Sequence, residues 1–556
     1  MRHRVSSLTL RLWLTTAAVL FAATAFAQQP VSLSDAATTQ ATTISIPNHT
    51  AEIDGLLQRG YKMEVERRWS DALTHYEEAM RAFPDDPGLQ RRFELTRLHY
   101  DLGRRYLDRS FLGSLVSLSP EKALELYNQV LLKIQSHHVD APHWQSVVEC
   151  GTYDLEVALS EPAFVRRNLR QQSPEAVEEF RNELRQTLRK LAVHSREDAR
   201  NAAAVASRLA EQRLGIDPTA VVLEYLCGAT NTLDPYSAYL TPAQLSEVYS
   251  QIEGNFVGLG IELKADGETL RIVRVIPKSP ADEGGMRAGD QIVSVDGQPT
   301  KDLSTDQAAN LLQGVEGSIV ELVVTAPSEL PRQLSIRRRR VEVPSIDNAR
   351  IIDRENGVAY LQLVCFQKTT CRDLDTALWD LHRQGMRRLI MDLRGNPGGL
   401  LVTAVEVSDR FVERGIIVST RGRSVQEDFT YSAHIAGTWR VPLVVLIDRD
   451  SASAAEIFAG AIRDHRRGTI VGARSYGKGS VQGIFPLGIS EAGIRLTTAK
   501  FYSLNGRAYS RVGVEPDVVV HQTARPADGR VVLKNDSEDV VLAAAIETAR
   551  RLGQKR

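Results

Sequence analysis

The chain has 556 residues, 43% of them hydrophobic, with 68 Lys and Arg against 69 Asp and Glu. That length predicts roughly two to four domains with buried cores, and a formal net charge of -1 gives no reason to expect a nucleic-acid partner. Four cysteines (Cys150, Cys227, Cys365 and Cys371) form no C-x-x-C pair, which speaks against a metal site and excludes a disulfide scaffold at this size. Cys365 and Cys371 can pair under oxidising conditions or remain buried free thiols; the sequence leaves both open.

From the amino terminus, Arg2, His3 and Arg4 precede an apolar run from Leu12 to Phe26 that closes on Ala25-Phe26-Ala27. A basic start, a short apolar core and small residues at A-x-A positions are the anatomy of a cleavable secretory signal over 1–27. The run is short for a membrane anchor, so the expected location is extracytoplasmic, periplasmic or secreted. Residues 28–50, rich in Ala, Thr, Ser and Gln, read as a flexible linker. Over 51–112, Gly60, Ala72, Tyr76, Ala79 and Pro84 stand at the spacing of a TPR-like helical hairpin. One such unit cannot bury its own face and must pack on the helices that follow. Residues 113–252 continue as amphipathic helices leading into the next domain. Within them the charged stretch from Glu175 to Arg200 reads as a solvated face, and LDPYSAYLTP (Leu233–Pro242) as a turn-rich loop in which Thr241 caps the next helix.

Over 253–342 the texture changes to short β-branched strands, GLGIEL, LRIVRVI, DQIVSVDG and SIVELVV, with AANLLQG as a short helix. This segment resembles a PDZ domain. In that resemblance Gly258, Leu259, Gly260 and Ile261 form the loop whose N–H groups bind a peptide carboxylate while the peptide adds as a strand. From 343 to 525, strands (GVAYLQLV, RRLIMDL, VPLVVLID, GTIVGA) alternate with helices (CRDLDTALWDLHRQG, LLVTAVEVSDRFVERG, AAEIFAGAIRDH), which predicts an α/β layered core. Residues 526–556 end in one more helix.

Three turns in that core carry chemistry. In LIMDLRGNPGGLL a strand ends at Asp392 and a glycine turn follows, whose N–H groups can donate to an oxyanion. In VVLIDRDSASAAEI, Ser453 stands where the strand's polar turn meets a helix, so free N–H groups and the helix dipole favour negative charge beside it. The alternative is that Ser453 merely caps the helix, with Glu456 completing a capping box. In GARSYGKGSVQ, Lys478 lies between two glycines, and a lysine base must be buried away from other charges. The same stretch begins like a phosphate-binding loop, but Gly479 replaces the Ser or Thr and a strand follows instead of a helix.

RGNPGG, SASAAEI and YGKGSVQ, in this order and with 25 residues from Ser453 to Lys478, resemble the carboxyl-terminal processing peptidases, also called tail-specific proteases. LDPYSAYLTP, VGLGIEL, SPADEGGMRAGDQIVSVDG and GVEPDVVV extend the resemblance over about 220–520, with an echo at LYNQVLLKIQSHHVD (126–140). The resemblance implies a serine endopeptidase in which Ser453 is the nucleophile, Lys478 the general base and Gln482 the residue that orients the lysine. It also implies an oxyanion hole from Ala454 and the glycine turn (Gly399 before Gly398), a supporting role for Asp464, and no metal or cofactor. No histidine is needed, and His465 reads as a helix-surface residue. Ala455, where the family often has Ser, and Leu504-Asn505-Gly506, where it often has Pro-x-Gly, are departures away from the dyad.

The expected fold is multidomain: an α/β protease core over 343–525, an inserted β-rich PDZ-like domain, and an all-α N-terminal region with the TPR-like pair. Expected partners are protein or peptide substrates with apolar C-termini, plus a protein partner for the TPR-like region, with a homo-oligomer left open. A non-catalytic PDZ/TPR scaffold is the competing reading.

Overall fold

The structure is a computed structural model that describes residues 49–169, 172–266, 269–302, 311–326, 330–434, 438–520 and 539–552. The expected signal segment, the linker up to residue 48 and residues 308–310 of the helix expected over 308–314 lie outside the described residues. These residues fall into two units.

The first unit is Thr16–Ala243, as far as described, with Gly483–Leu496. It is built almost wholly of helices, and four of them start the same way. Asp86, Ser119, Ser173 and Asp217 each accept a backbone N–H of the first turn, and each is followed by proline at the first helical position. The helices His49–Val65 and Trp69–Ala82 pair through buried Ala72, Tyr76 and Ala79, and the Tyr76 hydroxyl donates to Glu64 at 2.6 Å. The helix Pro218–Asn231 is buried from Thr219 to Thr230. Inside it, Arg105 and Tyr106 (2.8 Å) both donate to the fully buried Glu224. Removing that carboxylate strands a buried guanidinium, so Glu224→Ala is expected to lower the unfolding free energy by about 3–5 kcal/mol, read from urea unfolding.

Leu233–Pro242, expected as loop throughout, is only half so. Asp234 builds the turn by accepting the N–H groups of Tyr236 and Ser237. Ala238–Leu240 is then a strand, antiparallel to residues 493–495. Its partner lies some 250 residues away, so no local pattern announces it.

The second unit is Gln244–Gln482 with Thr497–Arg556, as far as described. One sheet runs in the order Ile261–Asp266, Thr269–Val275, Gln291–Val295, Ile319–Thr325, Arg332–Arg337. It closes over its own core, which includes Leu259, Ile272, Ile292 and Val320. A two-stranded ribbon, Asn255–Gly258 against Arg339–Glu342, brings the chain into and out of this module.

The larger sheet runs in the order Ile346–Asp353, Val358–Leu363, Arg388–Asp392, Leu443–Ile447, Thr469–Gly472, Val518–Val519. Its first pair is antiparallel and the rest are parallel. The central strand Leu443–Ile447 is apolar and buried at every position because both of its faces are covered. Leu389, Met391, Leu443, Val445 and Ile447 point to the helices Thr370–Arg383, Leu401–Asp409 and Ala454–Asp464. Ile390, Val444, Leu446 and Val471 point to Val541, Ala545 and Ala549 of the helix Val540–Leu552. The helix expected to run on to Gly415 stops at Asp409, whose carboxylate accepts the N–H of His434.

A further antiparallel sheet joins Gly415–Gly422 to Phe429–Ala433 and to residues 499–502. These strands were not expected, because their polar, short alternations give little signal without the partner strand.

Candidate active site

The strands ending at Asp392, Ile447 and Gly472 are neighbours and parallel. The turns leaving their carboxyl ends therefore open on one edge of the sheet, where ligands of open α/β sheets bind.

The middle turn carries Ser453. Asp448 accepts the N–H groups of Gly395 (2.9 Å) and Asp450 (3.0 Å), and the buried Ser451 hydroxyl donates to the Leu393 carbonyl at 2.8 Å. The turn is thereby bound to its neighbour on the Asp392 strand. Ser453 adopts φ +57 and ψ -116, a region that a side-chain-bearing residue enters only when its surroundings hold it there. It precedes Ala454, the first residue of the helix Ala454–Asp464, and the first N–H groups of a helix have no partner within it. Ser453 thus stands at the positive end of the helix dipole, on a strained strand-to-helix turn.

The glycine turn faces it. Gly398 (φ +102) lies so close that a Cβ there would meet the Ser453 Cβ at 2.7 Å, the Ala452 carbonyl at 2.8 Å and the Ala454 nitrogen at 2.9 Å. Its own N–H is donated to the Asn396 side chain at 2.8 Å. Gly399 (φ +141) has its N–H without a hydrogen bond among the described residues. Asn396, which sequence reasoning missed, is fully buried. Its side-chain amide donates to the Leu363 carbonyl (2.7 Å), and its main-chain carbonyl accepts the Ala452 N–H (2.9 Å), so it keys the glycine turn to the Ser453 turn.

The third turn carries Lys478. It is pinned by Tyr476 N–H to the Ser451 carbonyl (3.0 Å) and by Arg511 N–H to the Gly477 carbonyl (2.9 Å). Gly479 packs so tightly that a Cβ would meet the Ser510 nitrogen at 2.2 Å. Ser453 and Lys478 meet through Glu456, fully buried in the first turn of the helix. Its Oε2 accepts the N–H of Ser453 (2.8 Å) and the N–H of Lys478 (2.8 Å). Its Oε1 accepts the Gly477 N–H (2.7 Å) and the Ser475 hydroxyl (2.6 Å). Burial pushes its carboxyl up to about 7, against the pull of these donors. The only sequence signal for Glu456 was its capping-box position.

The remaining expected residues are placed as follows. Gln482 lies two residues beyond Ser480 on the strand Ser480–Pro486, and its amide donates to the Ser480 hydroxyl (2.9 Å) and to Thr497 (3.5 Å). Asp464 is at the opposite end of the helix from Ser453, with its Oδ2 buried and without a hydrogen-bond partner among the described residues. His465 is docked instead of lying on a free surface: its ring bonds the Ile416 carbonyl at 2.8 Å. Cys365 and Cys371 are free thiols, both pushed up to about 12 by burial. Among the described residues, no group of three or more His, Cys, Asp or Glu is placed to hold a metal ion.

In the smaller sheet, Gly258–Ile261 connects the ribbon to the edge strand Ile261–Asp266. The carbonyls of Leu259 and Gly260 accept the N–H groups of Ala281 and Ile276. The N–H groups of Leu259 and Gly260 find no acceptor among the described residues.

The chain has recognisable relatives among known proteins. Residues 357–520 match peptidase family S41, and residues 271–325 match a PDZ domain. A carboxy-terminal-processing protease of Bartonella bacilliformis is 37% identical over 301 residues, 53% of this chain and 68% of that protein. A carboxyl-terminal-processing protease of Synechocystis is 36% identical over 298 residues, 52% of this chain and 69% of that protein. Among solved structures, a photosystem II D1 C-terminal processing protease is 25% identical, with a TM-score of 0.39 over 77% of this chain and 96% of that one.

Proposed function

Because the chain belongs to the carboxyl-terminal-processing proteases of peptidase family S41, is a serine-type peptidase and carries a PDZ domain, we propose that it is an exported endopeptidase. In this reading it engages substrate C-termini through the PDZ domain and cuts peptide bonds with a Ser453–Lys478 dyad. The observation that carries it is the single carboxylate oxygen of Glu456 holding the main chain of both residues at one helix N-terminus.

Ser453 Oγ attacks the scissile carbonyl carbon as its proton passes to the Lys478 amine. The oxyanion accepts from the N–H groups of Ala454 and Gly399. Gly399 is preferred over Gly398 because the Gly398 N–H is already given to Asn396. Collapse breaks the C–N bond as Lys478 returns its proton to the leaving amine, and water then hydrolyses the acyl-enzyme. Gln482 orients the lysine from the strand Ser480–Pro486, which begins two residues after Lys478 and on which its amide bonds the Ser480 hydroxyl. Asp464 supports the helix from its far end.

The N–H groups of Leu259 and Gly260 suit a terminal carboxylate, and the free edge of Ile261–Asp266 suits an added peptide strand with an apolar last residue. The domain limits proposed are 253–342 for the PDZ-like insertion and 343–525 for the protease. The buried small and aromatic positions of the first two helices support a TPR-like pair with a protein partner of its own. Export rests on the anatomy of residues 1–27; no described helix is long and apolar enough to cross a membrane.

The test is cleavage of an unfolded protein ending in apolar residues, followed by mass spectrometry of the products. Wild type should cut it and Ser453→Ala should not, and amidating the substrate's C-terminus should raise KM by about tenfold, on the order of one lost charge-assisted contact. Equal cutting by Ser453→Ala, or none by wild type, overturns the reading; a KM indifferent to amidation removes the PDZ part.

A further inference from the structure

A helix cap needs one acceptor at the first turn, yet Glu456 accepts four hydrogen bonds from two separate segments of the chain, Ser453 and the turn 475–478. We propose that Glu456 is a positioning residue whose ionised carboxylate holds the Ser453 and Lys478 turns in register, so that its protonation uncouples the dyad. This rests on the Ser453–Lys478 reading above.

The geometry requires the charged form. Both oxygens accept from donors, and for Ser475 to accept from a protonated Oε1 its own proton would have to leave the carboxylate for another acceptor while its oxygen keeps the Val514 N–H at 2.7 Å. A proton on either oxygen would point a donor at a donor, and one of the two turns would be released. The Ser453 N–H is the grip that keeps the strained φ of +57 in place, so losing it lets the nucleophile relax.

Lys478 meets the carboxylate through its main-chain N–H, and the buried phenol of Tyr509 is pushed up first by burial and then by the negative charges of Asp464 and Glu456. Burial dominates for Glu456 and lifts it from the ordinary 4.5 to about 7. A folded-state value above the unfolded one stabilises the fold fully at acid pH, and that contribution is lost as pH rises through about 7. Catalysis depends on the opposite form and rises over the same interval. Activity and stability therefore move in opposite directions, which a purely structural glutamate would not produce.

The experiment measures kcat, KM and thermal midpoint of the full chain between about pH 5 and 9 for wild type, Glu456→Gln, Ser475→Ala and Ser453→Ala. In wild type the acid limb of log kcat/KM should approach a slope of two, one proton for Lys478 and one for Glu456. Glu456→Gln should lower kcat about 100-fold with KM within about twofold, and its limb should fall to a slope of one. Ser475→Ala removes one donor to the carboxylate. Its limb should shift about one pH unit alkaline, with activity recovered within a few-fold at the high end. This variant still decides the question if Glu456→Gln does not fold. The inference is overturned if both variants keep the wild-type profile, or if Ser475→Ala loses activity equally at every pH, while Ser453→Ala is inactive. Undiminished activity of Ser453→Ala instead overturns the dyad.

Discussion

Lys478→Ala and Lys478→Arg are each expected to lower kcat by about 10⁴-fold or more, as removal of a base does in other serine peptidases. The pair separates two roles of a half-buried lysine. Arginine keeps the positive charge but cannot be deprotonated in a protein, so it cannot take the Ser453 proton. The turn that carries Lys478 is held by its main chain, through Glu456, Ser451 and Arg511, and none of these bonds involves the replaced side chain. The thermal midpoint should therefore stay within a few degrees of wild type, equivalent to a surface-like change of about 0.5 kcal/mol. An arginine variant within tenfold of wild type would show that Lys478 acts only as a charge.

The second large effect is at Gly398. Alanine there would place its Cβ 2.7 Å from the Ser453 Cβ and 2.9 Å from the Ala454 nitrogen, in a backbone conformation of φ +102. Both close contacts are main chain or Cβ atoms that no rotamer change can move. The glycine turn must withdraw from the nucleophile, taking the Gly399 N–H with it. Gly398→Ala should lower kcat by about 10²–10³-fold, the scale of one lost oxyanion donor, and cost on the order of 1–3 kcal/mol in strain. Gly488→Ala, which meets nothing within 4 Å, is the control and should change neither. Comparable kcat in both variants would place the oxyanion elsewhere.

Much of the protease core was legible in the sequence because its signals are local. Runs such as LIMDL and VVLID are apolar at consecutive positions, as strands covered on both faces must be, and amphipathic helices separate them. The caps and first-position prolines of the N-terminal helices are equally local. The sheet that joins Gly415–Gly422 to residues 499–502 was not legible, since its strands are defined by partners about 80 residues away. Asn396 looked like a turn residue and Glu456 like a cap, because the groups they hold lie on other elements.

Residue type and local turn chemistry were thus determined by the sequence alone: a serine at a strand-to-helix turn, a lysine between glycines, a glycine turn after an apolar strand. Tertiary structure decided that these three belong together. Adjacent parallel strands must end on the same side of a sheet, so ordering the Asp392, Ile447 and Gly472 strands as neighbours placed all three turns at one edge. One buried carboxylate then closed the last gap between two of them, through bonds to main-chain N–H groups that every residue carries and no sequence pattern can mark.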